Sequence, residues 1–218
     1  MASKSKSDSK KVVVDDVTGT NRVMIIVGIV VLITFIIVMF QLNNSSNPDS
    51  KPVIPSGVKK VVVEFEIENR GKIQMELRND LMPKTTDNFV RNIIDGYYVS
   101  KKFFRSDNYM VSAGSPNNQA GYDNANPMPL ETNSQLNVER YYIGMSKDTK
   151  ANLTSRSIFF VAKAKEASFN GKYAVFGKIA NVDSEKVLDS IKKDDAILSA
   201  KVLTYDDKPY VAAVATPE

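Results

Sequence analysis

The sequence predicts a mostly β domain, a closed antiparallel barrel with two helices, carried behind one membrane-spanning helix. Three observations lead to this fold class: many short runs of alternating apolar and polar residues, two amphipathic stretches of helical period, and one long uncharged apolar run near the N-terminus. The chain has 218 residues, which is enough for one sizeable domain with appendages.

The apolar run Val23–Phe40 predicts the membrane-spanning helix. It is 18 residues long and uncharged, and as a helix it would measure about 27 Å, close to the ~30 Å hydrocarbon core of a bilayer. A buried core helix would show an amphipathic face, which this run lacks. A cleaved signal peptide is the other alternative, but the run exceeds the usual apolar region of such peptides, and no Ala-x-Ala-like site follows it. We therefore expect a retained anchor in the lipid bilayer.

The charges around this run predict its orientation. Five basic residues precede it, whereas only Lys51 lies close behind it. By the positive-inside rule, the N-terminus then lies in the cytoplasm and the folded domain lies outside it, at the cell membrane. The five basic residues are Lys4, Lys6, Lys10, Lys11 and Arg22.

Composition divides the chain into five segments. The polar stretch 1–22 cannot form a core and predicts a disordered cytoplasmic tail. Asn, Ser, Pro and Gly dominate the stretch before the folded domain, which is typical of a flexible linker. The remaining segments are a transmembrane helix at 23–41, the linker at 42–57, the folded domain at 58–207 and a C-terminal tail at 208–218.

Alternating residues predict a β-hairpin at the start of the folded domain. Apolar residues alternate with Glu from Val61 to Ile67, and the alternation resumes at Ile73 after a turn that contains Gly71. Pro83–Gly96 predicts a helix, because Pro suits a first turn and Gly a last one. A second short helix is predicted at Ser184–Lys192. Further strand-like runs are Lys102–Phe104, Tyr109–Ala113, Tyr141–Met145, Ile158–Ala162, Tyr173–Ile179 and Ile197–Thr204.

The residue types that are missing exclude several classes of catalyst. The chain has no Cys, so it has no disulfide, thiol nucleophile or thiolate metal site. It has no His, which excludes Ser-His-Asp triads and the usual zinc sites. No nucleotide-binding glycine motif occurs. Half of the net charge of +4 lies in the N-terminal tail 1–22, which has five basic and three acidic residues, so we expect no nucleic-acid partner.

Five segments, in order and at compatible spacings, resemble the cyclophilin family of peptidyl-prolyl isomerases. The resemblance extends from about Val61 to Tyr205 and implies an eight-stranded barrel capped by two helices, with no cofactor and no metal. The segments are Gly71-Lys72-Ile73-Gln74-Met75-Glu76-Leu77; Pro83-Lys84-Thr85 with Asn88-Phe89; Gly96-Tyr97-Tyr98 with Phe103-Phe104-Arg105; Ser157-Ile158-Phe159-Phe160; and Asn170-Gly171-Lys172-Tyr173-Ala174-Val175-Phe176-Gly177-Lys178.

The resemblance implies a set of site residues. Arg105 falls on the catalytic position of the family, although an Arg at a strand end is by itself most often a surface residue. The apolar members of the set could equally belong to the barrel core. The substrate-binding positions implied are Tyr109, Met110, Ser112, Ser146, Lys147, Phe160, Phe169 and Tyr173.

Several of these positions depart from the family pattern. The loop after Arg105 is one residue shorter, because Tyr109 follows it by four residues where the family's Phe follows by five. Ser112 stands where the family has Gln and is too short to span the same hydrogen bonds. We expect cyclosporin to bind poorly, because Ser168 stands where many members have the Trp tied to its binding. The other replacements are Ile158 for Gln, Phe169 for Leu, Tyr173 for His, and Ser146-Lys147 for an Ala-Asn pair.

The expected activity is cis/trans isomerisation of Xaa-Pro bonds in exported or unfolded proteins at the membrane surface. Rotation about such a bond requires no acid, base or nucleophile, so a chain without His or Cys can catalyse it. The alternative is a module of little or no turnover that binds proline-containing segments as a chaperone. We expect a monomer in either case.

Overall fold

The computed structural model describes residues 52–120, 127–147 and 151–211. These residues form ten β-strands, two α-helices and one short 3₁₀ helix. The helices are α1 (Pro83–Ile94), α2 (Val182–Ser190) and the 3₁₀ helix Ala167–Phe169. The strands are β1 (Lys60–Ile67), β2 (Gly71–Arg78), β3 (Arg105–Ser106), β4 (Met110–Ala113), β5 (Met128–Pro129), β6 (Tyr142–Lys147), β7 (Leu153–Ala162), β8 (Ala174–Ile179), β9 (Ile197–Tyr205) and β10 (Lys208–Pro209).

All ten strands belong to one antiparallel sheet, which is not closed by hydrogen bonds. Its order is β10-β9-β1-β2-β8-β6-β7-β4-β3, and β5 pairs with β7 beside this path. The expected closed eight-stranded barrel is therefore wrong. Closure would require a continuous ladder from the β3 end back to β9, but Lys102 and Ala196 form only an isolated bridge there.

The predicted β1–β2 hairpin is confirmed, and β1 is an interior strand of the sheet, third in the strand order. Its eight residues pair with β2 on one side, and β9 pairs along its other side. Val61, Val63, Phe65 and Ile67 are all buried, as their alternation predicts. Glu64 points to the other face, where Lys72, Lys201 and Gln74 meet its carboxylate.

The predicted first helix is also confirmed, and it packs on the sheet through an aromatic cluster. Phe89 lies 5.0 Å from Phe176 and 5.1 Å from Tyr98, measured between ring centroids. Phe65 and Phe159 complete the cluster on the sheet side. Such offset and edge-to-face pairs add stability beyond that of the buried area alone. Ile94, at the last turn of this helix, is 43% exposed.

The sequence placed three other elements with less accuracy. Lys102–Phe104 is not a strand; β3 is a two-residue strand that begins at Arg105. β7 begins at Leu153, five residues before the apolar run that predicted it. α2 begins at Val182, because the Asn181 side chain accepts the Ser184 N–H and caps the helix there.

The two ends of the described domain are fixed by carboxylates. Asp87 of α1 accepts the N–H groups of Val53 and Ile54, and Ile54 is buried in the core. Asp206 accepts the N–H groups of Lys59 and Lys60. The short strand β10 pairs with β9. Packed structure therefore extends beyond 58–207 at both ends.

Neither helix of the described residues is long and apolar enough to cross a membrane. The predicted span Val23–Phe40 lies outside the described residues, as do the predicted tail 1–22 and most of the linker 42–57.

Candidate active site

Two adjoining hollows lie on the β3–β4–β7 side of the sheet. The larger has a volume of about 320 Å³ and the smaller about 240 Å³. Arg105, Met110 and Phe169 line both of them. The larger is also lined by Phe104, Ser112, Ala120, Ser146, Lys147, Phe160 and Tyr173, and the smaller by Tyr109, Val138, Ala162, Ala164 and Glu166.

Strand register brings the site residues together from distant parts of the sequence. Arg105 on β3 pairs with Ser112 on β4, and Ser112 in turn pairs with Phe160 on β7. On the other side of β7, Phe160 pairs with Gly144 of β6. Because Gly144 has no side chain, the Phe160 ring can lie over it: a Cβ there would come within 2.6 Å of Phe160 Cζ.

Three aromatic rings form one wall of the larger hollow. Phe160 meets Tyr173 edge to face, with centroids 5.7 Å apart, and Phe169 lies 4.4 Å from Tyr173. The Lys147 ammonium lies 5.8 Å from the centre of the Tyr173 ring, a cation–π distance. Burial raises the pKa of Tyr173, and the nearby charge of Arg105 partly offsets this. An apolar ring of a ligand could pack on this flat apolar surface, with the cations of Arg105 and Lys147 at its rim.

Arg105 stands at the junction of the two hollows with its side chain 45% exposed. Its Nε donates to Asp107 Oδ2 at 2.6 Å. Burial acts to raise the pKa of Asp107, but hydrogen bonds from the Met110 N–H, Arg105 and the Tyr109 N–H hold that pKa below its ordinary value. Asp107 is therefore ionised at neutral pH beside the guanidinium.

The structure gathers all nine predicted site residues around the two hollows. Tyr109 contacts only the smaller hollow and is 63% exposed, so it is not part of the core. Phe160 is buried in the core and also lines the larger hollow. Ile158, one of the departures from the family pattern, is buried and lines neither hollow.

Sequence reasoning missed several residues of the site. Phe104 lies in the Phe103-Phe104-Arg105 segment, where the resemblance implies no role for it, and it lines the larger hollow. Glu166, at the smaller hollow, accepts the N–H and hydroxyl of Ser168 and so fixes the start of the 3₁₀ helix. Asp107 was not identified at all. Its signal was available, because an Asp in a short loop often accepts the N–H two residues further on.

Fold and hollows together define a class of protein: a mostly β domain with two helices that offers an apolar hollow with a guanidinium at its edge. Residues 62–212 match the family model described as "Cyclophilin type peptidyl-prolyl cis-trans isomerase/CLD". The chain belongs to the cyclophilin-type peptidyl-prolyl cis-trans isomerase family.

Similar proteins are found among both characterised sequences and solved structures. A peptidyl-prolyl cis-trans isomerase of Synechococcus elongatus is 26% identical over 62% of this chain and 92% of its own length. One from Arabidopsis thaliana is 29% identical over 57% of this chain and 79% of its own length.

The fold of this chain is shared with solved structures of one protein from Cryptosporidium parvum. A cyclophilin-type isomerase of Cryptosporidium parvum aligns with a TM-score of 0.59 and 21% identity, over 66% of this chain and 98% of that one. The same parasite protein crystallised in the presence of the dipeptide Ala-Pro aligns with a TM-score of 0.58.

Proposed function

We propose that this chain isomerises Xaa-Pro bonds by holding the proline ring in the larger hollow while Arg105 donates a hydrogen bond to the prolyl nitrogen. The observation that carries the proposal is the position of Arg105 beside Met110, Phe160, Phe169 and Tyr173 at one concave surface. The family relationship and the Ala-Pro dipeptide of the parasite relative support it.

The chemistry follows from the electronic structure of the imide bond. Conjugation makes rotation cost roughly 18–20 kcal/mol, so spontaneous exchange takes tens of seconds or longer. As the bond twists, the prolyl nitrogen regains its lone pair and becomes a better hydrogen-bond acceptor. A donor fixed at that place binds the transition state more tightly than either ground state. Arginine suits the task, because it is always charged and has five N–H donors.

A second candidate is a proline-binding module with little turnover. It is favoured by Ser112, which is buried at the strand position facing Arg105 and carries only a short hydroxyl. Polar groups that would orient the substrate backbone are therefore few on this side of the hollow. The aromatic wall alone could retain a proline ring without twisting the bond.

Exchange kinetics separate the two candidates. The full chain in mild detergent is added to a short Xaa-Pro peptide, and the cis–trans exchange rate is measured by NMR exchange spectroscopy. We expect acceleration by the wild type and at least a tenfold loss with Arg105→Ala, since that donor acts only in the transition state.

The matched control is Arg78→Ala. Arg78 forms an ion pair with Asp80 at the same two-residue spacing as Arg105 and Asp107, but lines neither hollow. An unchanged rate in Arg105→Ala would remove Arg105 from the mechanism. Peptide-induced shifts without acceleration by the wild type would favour the binding module.

The cellular part of the proposal rests on the sequence. We place the domain outside the cytoplasm as a monomer, anchored in the bilayer by Val23–Phe40, where it would act on exported proteins. Because the chain has no Cys, single cysteines introduced as Ser3→Cys and Asp183→Cys would report sidedness. A membrane-impermeant maleimide added to intact cells should label the second variant and not the first. The reverse labelling pattern would overturn the orientation.

A further inference from the structure

The loop between β3 and β4 is built around one carboxylate. It consists of Asp107, Asn108 and Tyr109. Asp107 Oδ1 accepts the Tyr109 N–H at 2.8 Å and the Met110 N–H at 2.9 Å, while the Asp107 N–H donates to the Met110 carbonyl at 3.1 Å. Asp107 thereby closes a loop that is one residue shorter than its family counterpart.

The second oxygen of the same carboxylate faces the site. Asp107 Oδ2 accepts the Arg105 Nε–H at 2.6 Å, a short charge-assisted hydrogen bond. One residue thus fixes both the backbone at Met110 and the guanidinium of Arg105, which line the same two hollows. Because Nε is used in this contact, the terminal nitrogens of Arg105 carry its other four N–H donors.

We propose that Asp107 is a positioning residue that holds the Arg105 guanidinium at the hollow in the orientation needed for isomerisation. The inference rests on the proposed function. A long Arg side chain that is 45% exposed is not fixed by packing, and several rotatable bonds would let it move into solvent. Transition-state stabilisation requires a donor that is already in place, because reorientation during the reaction costs part of the gain.

The charges around Asp107 are compatible with this role. Arg105 contacts it directly, and Lys163, which follows β7, also lies within its electrostatic influence. The Lys163 ammonium itself donates to the Asp189 carbonyl at 3.4 Å, and the Lys163 N–H donates to the Tyr109 carbonyl. The carboxylate thus faces one hydrogen-bonded cation and one more distant cation.

Asp107→Asn is the sharpest test, because it keeps an oxygen for the two loop N–H groups and turns the other acceptor into an N–H donor. That donor would face the Arg105 Nε–H and remove the contact. We expect kcat/KM for a short Xaa-Pro peptide to fall by roughly three- to tenfold, mainly through kcat. Asp80→Asn is the matched control, since Asp80 binds Arg78 through the same Arg-x-Asp spacing away from the hollows.

A double-mutant cycle distinguishes positioning from a purely structural role. In an Arg105→Ala background, Asp107→Asn should change the exchange rate no further, because the group that it positions is gone. An equal fold loss in both backgrounds would overturn the inference and assign Asp107 to the loop alone. So would an unchanged rate in the single variant.

Two further measurements keep the outcome unambiguous. Far-UV circular dichroism and the thermal midpoint show whether Asp107→Asn is folded. If it is not folded, Arg105→Lys is tested in its place. Lysine lacks the guanidinium Nε–H that binds Asp107, so this variant should lose activity although the loop is intact. Full activity of Arg105→Lys would then contradict the inference.

A wild type that does not accelerate exchange overturns the proposed function, and the inference with it. An active wild type that depends on Arg105 but not on Asp107 overturns the inference alone.

Discussion

Gly144 lies directly against the ring of Phe160, with which it pairs across β6 and β7. A Cβ at position 144 would come within 2.6 Å of Phe160 Cζ and 2.8 Å of Cε1, so the ring occupies space that only glycine leaves open. The wall of the larger hollow therefore depends on a residue that does not itself line it.

Gly144→Ala should tilt the Phe160 ring and narrow the larger hollow. We expect KM for an Xaa-Pro peptide to rise on the order of tenfold and stability to fall by about 1–3 kcal/mol, as is usual for overpacking. Urea unfolding and exchange kinetics measure the two effects.

Gly177→Ala is the control variant for overpacking, because a Cβ at position 177 would come within 2.5 Å of the Glu76 carbonyl oxygen, away from the hollows. It should reduce stability and leave the KM of the folded protein unchanged. Equal KM values in the wild type and in Gly144→Ala would contradict the role given to Phe160.

Isomerase activity should be flat between about pH 5.5 and 8.5, because the described residues that line the hollows include no His and no Cys, the side chains that ordinarily titrate near neutrality. The chain has no His and no Cys. Burial raises the pKa of Tyr173, while hydrogen bonds lower the pKa of Asp107 and of Glu166. Because the Asp107 pKa is depressed in the folded state, Asp107 contributes stability above the ordinary carboxyl pKa of about 4, and this stability is lost as the pH falls through the lower folded-state pKa. A bell-shaped rate profile centred near neutrality would contradict this prediction.

Glu131→Gln should destabilise the protein through α1. The residue before this helix, Met82, offers no side-chain cap; instead the Glu131 carboxylate accepts the Thr85 N–H at 2.8 Å and the Thr85 hydroxyl at 2.7 Å. The amide retains one acceptor but loses the charge that favours a helix N-terminus, so we expect a loss of about 1 kcal/mol in urea unfolding. Glu68→Gln, an exposed change in the β1–β2 turn, should have no measurable effect.

Tyr98→Phe should cost about 1–2 kcal/mol of stability, because the buried Ser157 carbonyl would lose its hydroxyl donor. Tyr97→Phe is the matched control. Its hydroxyl donates to the Gly114 carbonyl at 3.0 Å, but the side chain is only partly buried, and water can replace the bond. Urea unfolding measures the loss of unfolding free energy in each variant. Equal losses would show that burial of the hydroxyl does not determine how much stability is lost. Neither tyrosine lines a hollow, so exchange rates should not change.

The sequence predicted the elements whose buried faces are apolar. Val61 to Ile67 alternate because one face of β1 is core, and α1 repeats apolar residues for the same reason. The first half of β7 was missed because its buried residues are Thr154, Ser155 and Ser157, which carry no apolar period. Sheet closure could not be predicted either, since whether a ladder is continuous depends on backbone hydrogen bonds that side-chain pattern does not encode.

The sequence predicted the residues that line the hollows better than it predicted their arrangement. Motif resemblance named Arg105 and its neighbours, which converge because β3, β4 and β7 are adjacent. The exposure of Tyr109 depends on how the short loop turns, and that turn depends on Asp107. A contact between two loop residues that are two positions apart produces no periodic pattern in the sequence. The Arg105–Asp107 ion pair could therefore be found only from the structure.

The carboxylates of Asp87 and Asp206 have a consequence for the layout of the whole domain. Asp87 ties Val53 and Ile54 to α1, while Asp206 holds the start of β1 beside the end of β9, with which β1 pairs, and the Tyr205 and Tyr210 rings pack together at 5.3 Å. A polypeptide that enters and leaves at one place can be spliced into a host protein between two neighbouring positions with little distortion. Because the start of β1 lies beside the end of β9, the folded domain should therefore be transplantable as an insert, with the two hollows carried along unaltered.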